Sequence, residues 1–161
     1  MLCLGCAFAP CLNVASAASN GSEASSPLDE HRYQAYVDKI AQSARDDAGW
    51  RPPKALPPGE SFEELAAAGA KNIDLCIRFL TESKDSGRQR EIAIYAMYKL
   101  DVDDYVVFVR KLANLYHTGL LHQAELSRGI YYRYSDLVIE QYQNPKIQAL
   151  LKEIAAQEEI R

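Results

Sequence analysis

The chain has 161 residues, 48% of them hydrophobic, and a formal net charge of −4. This length is typical of one domain, and this apolar content can build a core without a metal or a disulfide framework. A net negative chain has no basic field to hold phosphates, so we expect no nucleic-acid partner. Because no apolar run reaches the roughly 18 residues of a membrane-spanning helix, we expect no insertion into a membrane.

Residues 1–18 have the character of a cleavable signal peptide. They carry no charged side chain, are mostly apolar and end in small residues. Ala15-Ser16-Ala17 is the A-x-A pattern that signal peptidase reads, which predicts cleavage after Ala17 or Ala18. The Lys or Arg that normally precedes the apolar stretch is missing, and a start codon placed too far downstream would explain this. We therefore predict export to the periplasm, with a disordered apolar tail on a cytosolic protein as the alternative.

Export would remove three of the four cysteines and leave Cys76. A lone cysteine forms no internal disulfide, and Cys76 lies at helical spacing among Ile73, Ile77 and Leu80. We expect it to be a small buried side chain and not a nucleophile.

The first predicted helix follows a polar segment. Residues 19–26 are small and polar and read as a disordered leader, and residues 27–161 as a single helical domain. Ser26-Pro27 is an N-cap followed by a first-turn proline, and an apolar stripe then runs to Gly49. The proline-rich segment Gly49–Gly59 cannot be helical, and we expect Trp50 and Leu56 to pin it to the core.

The second part of the chain begins with a predicted capping box, Ser61 with Glu64. Its apolar stripe runs to Leu80, and Gly69 is a candidate point at which it divides into two shorter helices. The next helix, Arg88–Lys99, is apolar on most sides, which predicts that it is central and buried.

Three further boundaries can be read from capping signals. Asp101 should cap a helix that ends at Thr118-Gly119. Residues 120–143 read as helical, with an interruption near Gly129. Asn144-Pro145 should start the last helix.

These elements predict an all-α fold of six to seven helices. Ile94-Tyr95-x-x-Tyr98 recurs 36 residues later as Ile130-Tyr131-x-x-Tyr134, a period typical of paired-helix solenoids. A short array of HEAT- or armadillo-like helical pairs and an irregular bundle both stay open.

The sequence offers no pattern of catalytic or metal-binding residues. His117 and His122 are five residues apart across a predicted helix break, and His31 lies in the first turn of a helix. This spacing fits neither an i, i+4 zinc pair nor a nucleophile with its base, and no phosphate-binding loop is present. We therefore predict that the protein is not an enzyme, with no catalytic residue, no metal ligand and no cofactor.

Tyrosine is abundant, with ten residues, eight of them between Tyr95 and Tyr142. The closely spaced tyrosines after residue 130 cannot all share one helix face, so at least one should be exposed beside an arginine. Exposed Tyr and Arg are favoured at protein interfaces. We predict Arg128, Tyr132 and Arg133 as partner-binding residues. The acidic turn at Asp101, Asp103 and Asp104 is the next candidate.

In general plan the chain resembles the periplasmic immunity proteins of the Tai family, which protect bacteria from their own type VI secretion peptidoglycan amidases. The resemblance lies in a signal peptide, about 130 mature residues and paired helices that include Arg90–Leu112 and Ser127–Ile154. It implies a cognate cysteine amidase as partner, inhibited by occlusion of its cleft, and a possible homodimer. One departure is that a mature chain with a single cysteine cannot form the disulfide of some relatives. The alternative function is an envelope scaffold or adaptor.

Overall fold

The computed structural model describes residues 26–46, 57, 59–84, 87–131 and 143–159. The predicted signal peptide, most of the predicted leader, Trp50 and Leu56 lie outside these residues. The described residues form seven α-helices and no strand, which confirms the all-α prediction. The helices are α1 (Pro27–Asp46), α2 (Glu60–Ala67), α3 (Ile73–Glu82), α4 (Arg88–Tyr95), α5 (Val102–His117), α6 (Gln123–Tyr131) and α7 (Pro145–Glu159).

The predicted caps at the starts of α1, α5 and α7 are confirmed. The Ser26 hydroxyl accepts a hydrogen bond from the backbone N–H of Asp29 at 3.2 Å. The Asp101 carboxylate accepts one from the N–H of Asp104 at 2.9 Å. The side-chain oxygen of Asn144 accepts one from the second residue of α7, also at 2.9 Å. Each cap satisfies a backbone donor that the first helical turn leaves without a partner.

The predicted capping box at Ser61 is wrong. Helix α2 begins at Glu60, and Ser61 lies inside its first turn. Gly59 precedes the helix with φ 112°, a backbone conformation that only glycine adopts freely, and its carbonyl accepts the N–H of Glu63. This glycine starts the helix early, so the carboxylate of Glu64 is left to pair with Lys39 of α1.

Two glycines affect the helices differently. Gly69, at φ 51°, opens a 3₁₀ turn (Gly69–Asn72) that separates α2 from α3, as predicted. Gly129 does not interrupt α6, which runs through it to Tyr131. A Cβ atom at position 129 would lie 2.2 Å from Cδ1 of Leu112, so the glycine lets α6 approach α5 closely. The predicted helix from residue 120 starts only at Gln123.

Helix α4 and the 3₁₀ turn that continues it (Ala96–Lys99) form the centre of the core. All six residues from Ile92 to Met97 are buried, as the sequence predicts for a central helix. Helix α4 packs against α1, α3 and α6, and α5 packs against α3, α6 and α7. Contacts such as α1 with α4 and α4 with α6 join helices of adjacent pairs, as in an array of repeats, and would also occur in a bundle. The helical-pair array and the irregular bundle therefore both stay open.

The amphipathic helices bury the predicted stripes. Helix α1 packs through Tyr33, Tyr36 and Ile40, and α7 through Ile147, Leu150 and Ile154. Within the described ranges, no helix is both long and apolar enough to cross a membrane.

Candidate partner-binding surface

Arg128 lies on α6 and pairs with a carboxylate of α4. Its Nη1 atom is 2.7 Å from Oε1 of Glu91, and its side chain is one-third exposed. The ion pair lies close to the buried Tyr95, whose pKa is raised by burial despite the nearby guanidinium. Arg128 is thus held in place and partly accessible. Tyr132 and Arg133, the other predicted anchors, lie outside the described residues.

A small recess beside Arg128 brings together part of the Tyr-rich region. It is lined by residues of α4, the following 3₁₀ turn, α5 and α6, among them Tyr98, Tyr105 and Phe108. Its volume is about 10 Å³, room for about one water molecule, so this recess is too small for a substrate. The Tyr105 hydroxyl donates a buried hydrogen bond to the carbonyl of Ile130 at 2.6 Å. Tyr105 therefore joins α5 to α6.

The three aspartates of the acidic turn have separate environments. Asp101 caps α5, and Asp103, largely exposed, forms an ion pair with Lys146 at the start of α7. Asp104 is half-buried and supplies its backbone N–H to the cap. Asp101 and Asp104 thus both belong to the N-terminal cap of α5. The carboxylate of Asp103 is accessible to a partner.

The most elaborate polar site of the described residues is a buried ion pair that the sequence reasoning missed. Arg90 of α4 donates from Nε to Oε1 of Glu125 at 2.6 Å and from Nη2 to Oε2 at 3.3 Å. Its other bonds reach the carbonyls of Leu80 at 2.5 Å and Leu120 at 3.0 Å. Glu125 also accepts the backbone N–H of His122 at 2.9 Å. One guanidinium thus connects the end of α3, helix α4, the α5–α6 connection and α6.

The electrostatics of Glu125 follow from this geometry. Burial alone would raise the pKa of its carboxyl, but the hydrogen bonds from Arg90 and from the N–H of His122 outweigh burial and lower it. Both side chains are more than nine-tenths buried. A charge so placed is tolerated because it is paired and hydrogen-bonded. Little in the sequence indicates this pair, because Arg90 is one of two arginines at the start of α4 and Glu125 lies five residues into a helix predicted from residue 120.

Cys76 is buried, as predicted. Its thiol donates to the carbonyl of Ala93 at 3.4 Å, and burial raises its pKa to about 12. Burial and the neighbouring thiol also raise the pKa of Tyr36 well above its usual value. Since the thiolate is the reactive form, Cys76 is inert at neutral pH.

Ion pairs between helices run across the exposed surface and connect each of α1 to α7 with at least one neighbour. They are Lys39–Glu64, Glu30–Arg78, Glu63–Lys99, Asp74–Lys111, Arg110–Glu153, Asp103–Lys146 and Glu91–Arg128. Each exposed pair contributes about 0–1 kcal/mol. Together they join neighbouring helices across the surface.

Potential metal ligands do not converge in the part of the chain that the structure describes, since no group of three His, Cys, Asp or Glu side chains could hold an ion there. The ring of His117 instead hydrogen-bonds the side chain of Gln157 on α7 at 2.9 Å. Comparison with protein-family models, with curated proteins and with solved structures found no match.

Proposed function

We propose that this protein is exported to the periplasm, where it binds a cognate peptidoglycan amidase and inhibits it by covering its active-site cleft. The signal-like segment and the general plan of a small helical domain support this, because the immunity proteins that the chain resembles share both. The proposed contacts lie in the Tyr- and Arg-rich region at Arg128, Tyr132 and Arg133. The acidic turn, Asp101 to Asp104, contributes charge.

The observation that carries the proposal is the bracing of the helical surface by ion pairs. Arg110–Glu153 and Asp103–Lys146 hold α7 on α5, and Glu91–Arg128 holds α6 on α4. A surface that is ordered before binding loses little conformational entropy in the complex. Such rigid partners also change shape little on association. Occlusion of a cleft needs a surface of this kind and requires no catalytic group on the inhibitor.

Charge complementarity supports the same partner. The chain has a net charge of −4, and an enzyme that binds the anionic cell wall is expected to carry a basic surface. A standard interface covers about 800 Å² of each partner. The exposed carboxylates of Asp103 and Asp74 would then steer association more than they would add affinity.

The test uses the protein encoded in the gene next to that of this protein, which the proposal predicts to be an amidase effector. We expect the full chain to bind it with a Kd of about 10 nM or tighter, as in other standard-size inhibitor complexes, and to stop its cleavage of peptidoglycan at one equivalent. An amidase from an unrelated effector is the control and should not be inhibited. Absence of both binding and inhibition would rule out the immunity function and favour the envelope scaffold or adaptor.

The location of the contact is tested with the double variant Tyr132→Ala/Arg133→Ala. Loss of two interface anchors should weaken binding by about 30-fold or more, without a change in unfolding temperature. Lys152→Ala, which removes an exposed charge of α7, is the matched control. Unchanged affinity in the folded double variant would move the contact away from this segment.

Export is tested separately by mass spectrometry of protein from the envelope fraction. The expected N-terminus is Ala18 or Ser19. An intact Met1 on cytosolic protein would contradict the periplasmic location.

A further inference from the structure

Arg90 caps the carboxyl end of α3. This helix closes with a hydrogen bond from the N–H of Ser83 to the carbonyl of Phe79 at 2.8 Å. Because the backbone of Ser83 is extended, the chain leaves the helical path, and the carbonyl of Leu80 lacks the N–H that a longer helix would supply. Nη1 of Arg90 donates to this carbonyl at 2.5 Å. The carboxyl end of a helix carries partial negative charge, so the guanidinium also stabilises it electrostatically.

Glu125 caps the amino end of α6. His122 precedes this helix, and its carbonyl accepts the backbone N–H groups of Glu125 at 2.9 Å and Leu126 at 3.1 Å. Oε2 of Glu125 in turn accepts the N–H of His122 at 2.9 Å, which is the acidic half of a capping box. The amino end of a helix carries partial positive charge. Each member of the buried ion pair therefore lies at a helix end whose charge is opposite to its own.

The two caps share one set of bonds. Nε of Arg90 donates to Oε1 of Glu125 at 2.6 Å, and Nη2 donates to Oε2 at 3.3 Å. Nη2 also donates to the carbonyl of Leu120 at 3.0 Å, although the side chain of this leucine is 46% exposed. Helix α4, which carries Arg90, packs against both α3 and α6. The end of α3 and the start of α6 are thus joined through one guanidinium.

Loss of one cap should destabilise the other. If the first turn of α6 opened, the carboxylate of Glu125 would leave, and the charge of Arg90 would stay buried without a counter-ion. The guanidinium would then turn towards water, and the carbonyl of Leu80 would lose its donor. Opening of the last turn of α3 would likewise leave Nη1 of Arg90 buried without an acceptor. Buried polar networks of this kind respond as units and not as separate pairs.

We propose that the end of α3 and the start of α6 open and close as one cooperative unit, coupled by the ion pair between Arg90 and Glu125. Such units are a general property of native proteins, but most consist of segments that are neighbours in the chain. Here a contact that moves the first turn of α6 is transmitted through α4 to the end of α3. Arg90 and Glu125 act as positioning residues for both helix ends. The coupling belongs to the free protein and does not rest on the proposed function.

The coupling is tested by native-state hydrogen exchange in the full chain. The N–H of Ser83 reports on the end of α3, and the N–H of Leu126 reports on the start of α6. In Glu125→Gln we expect both amides to exchange faster by the same factor, at least about tenfold. The N–H of Glu30, which donates to the carbonyl of Ser26 at the start of α1, should change less than about threefold.

Glu153→Gln is the matched control variant. It also removes a carboxylate that pairs with an arginine, but its partner Arg110 lies on the exposed surface between α5 and α7. Exchange at Ser83 should stay within about threefold of the wild type in this variant. If Glu125→Gln does not fold, the wild type provides the test. In urea below the unfolding midpoint, the opening free energies of Ser83 and Leu126 should then fall with one common slope.

Three results would overturn the coupling. Faster exchange at Leu126 with unchanged exchange at Ser83 in Glu125→Gln would show that Glu125 caps α6 alone. Different urea slopes for the two amides would show that the helix ends open separately. Equal acceleration of Ser83 in Glu153→Gln would show that loss of any ion pair loosens α3. Since every measurement uses the free protein, the result is independent of whether the amidase binds.

Discussion

The guanidinium of Arg90 and the hydroxyl of Ser43 are both buried, but the regions around them are built differently. At the junction of α4 and α6, every bond of Arg90 ends on Glu125 or on a backbone carbonyl. On the inner face of α1, Ser43 is 0% exposed, and its oxygen has no hydrogen-bond partner within the described ranges. In the first region hydrogen bonds fix the orientation of the buried polar group. In the second region the hydroxyl is held by packing alone.

The difference shows what each kind of burial contributes. A buried polar group lowers the stability of the fold unless it is hydrogen-bonded. The hydroxyl of Ser43 is therefore destabilising, and the close packing that a small serine side chain allows must offset this loss. The larger desolvation free energy of burying the charge of Arg90 is offset by its ion pair and hydrogen bonds. These bonds also fix the relative positions of four chain segments. Substitutions in the two regions should therefore change stability in opposite directions.

The largest effect is expected for Glu125→Gln. It leaves the charge of Arg90 buried without a counter-ion, which should lower the free energy of unfolding by about 3–5 kcal/mol. The double variant Arg90→Met/Glu125→Leu should recover part of this loss, though not all, because the carbonyls of Leu80 and Leu120 then lose their donor. Urea unfolding measures both. A loss of less than about 1 kcal/mol for the single variant would show that the pair behaves like an exposed one.

Gly129→Ala should destabilise the contact between α5 and α6 on which this pair depends. The new Cβ would lie 2.2 Å from Leu112, and the shift needed should cost about 1–3 kcal/mol. Helix propensity alone would make the same change stabilising by about 1 kcal/mol. The sign of the change in the free energy of unfolding thus decides whether close packing controls this position.

Ser43→Ala should raise the free energy of unfolding by about 1 kcal/mol, because it removes a buried hydroxyl without a partner. Ser127→Ala, in the middle of α6 and half-buried, is the control for the higher helix propensity of alanine. If the two variants are stabilised equally, the hydroxyl of Ser43 carries no burial cost.

Cys76→Ala should lower the free energy of unfolding by about 1 kcal/mol, at the low end of core truncations, and leave binding unchanged. The thiol of the folded wild type should not react with iodoacetamide at pH 8, because burial raises its pKa to about 12. If Cys76→Ala folded but no longer bound the partner, the thiol would have a role in binding that its burial does not predict.

The smallest effect is expected in the pH dependence of stability. The pKa of Glu125 is below its ordinary value of 4.5 in the folded protein, so its contribution is complete above that value. It is lost as the pH falls through the lowered pKa. The difference in stability between the wild type and Glu125→Gln should therefore narrow between pH 5 and acid pH. If the difference in stability stayed constant with pH, the pKa of Glu125 would be the same in the folded and unfolded states.

The helices and most of their starts could be predicted because their signals are local. Ser26, Asp101 and Asn144 each cap a helix within three residues of their own position. Ser61 carries the same signal and does not cap, because Gly59 begins the helix earlier. Local signals therefore predict the presence of a helix more reliably than they predict its first residue.

The candidate site was predicted less completely. Arg128 was chosen for its residue type, and the structure shows where it is placed, in an ion pair with Glu91 on another helix. The turn at Leu120 was read as helix, and nothing in its sequence says that a buried arginine holds it. The pattern of residue types indicates a region, whereas the position of a side chain depends on which helices pack together.

The sequence by itself determined the all-α class, the buried stripes and the central place of the helix from Arg88, because helical periodicity is a property of neighbouring residues. Only the tertiary structure decided that Arg90 is buried, that Gly129 is needed for close packing and that Leu120 points outward. Arg90 meets Glu125 across 35 residues of chain. Such a pairing is created when α4 and α6 dock against each other, and no pattern within either helix contains it.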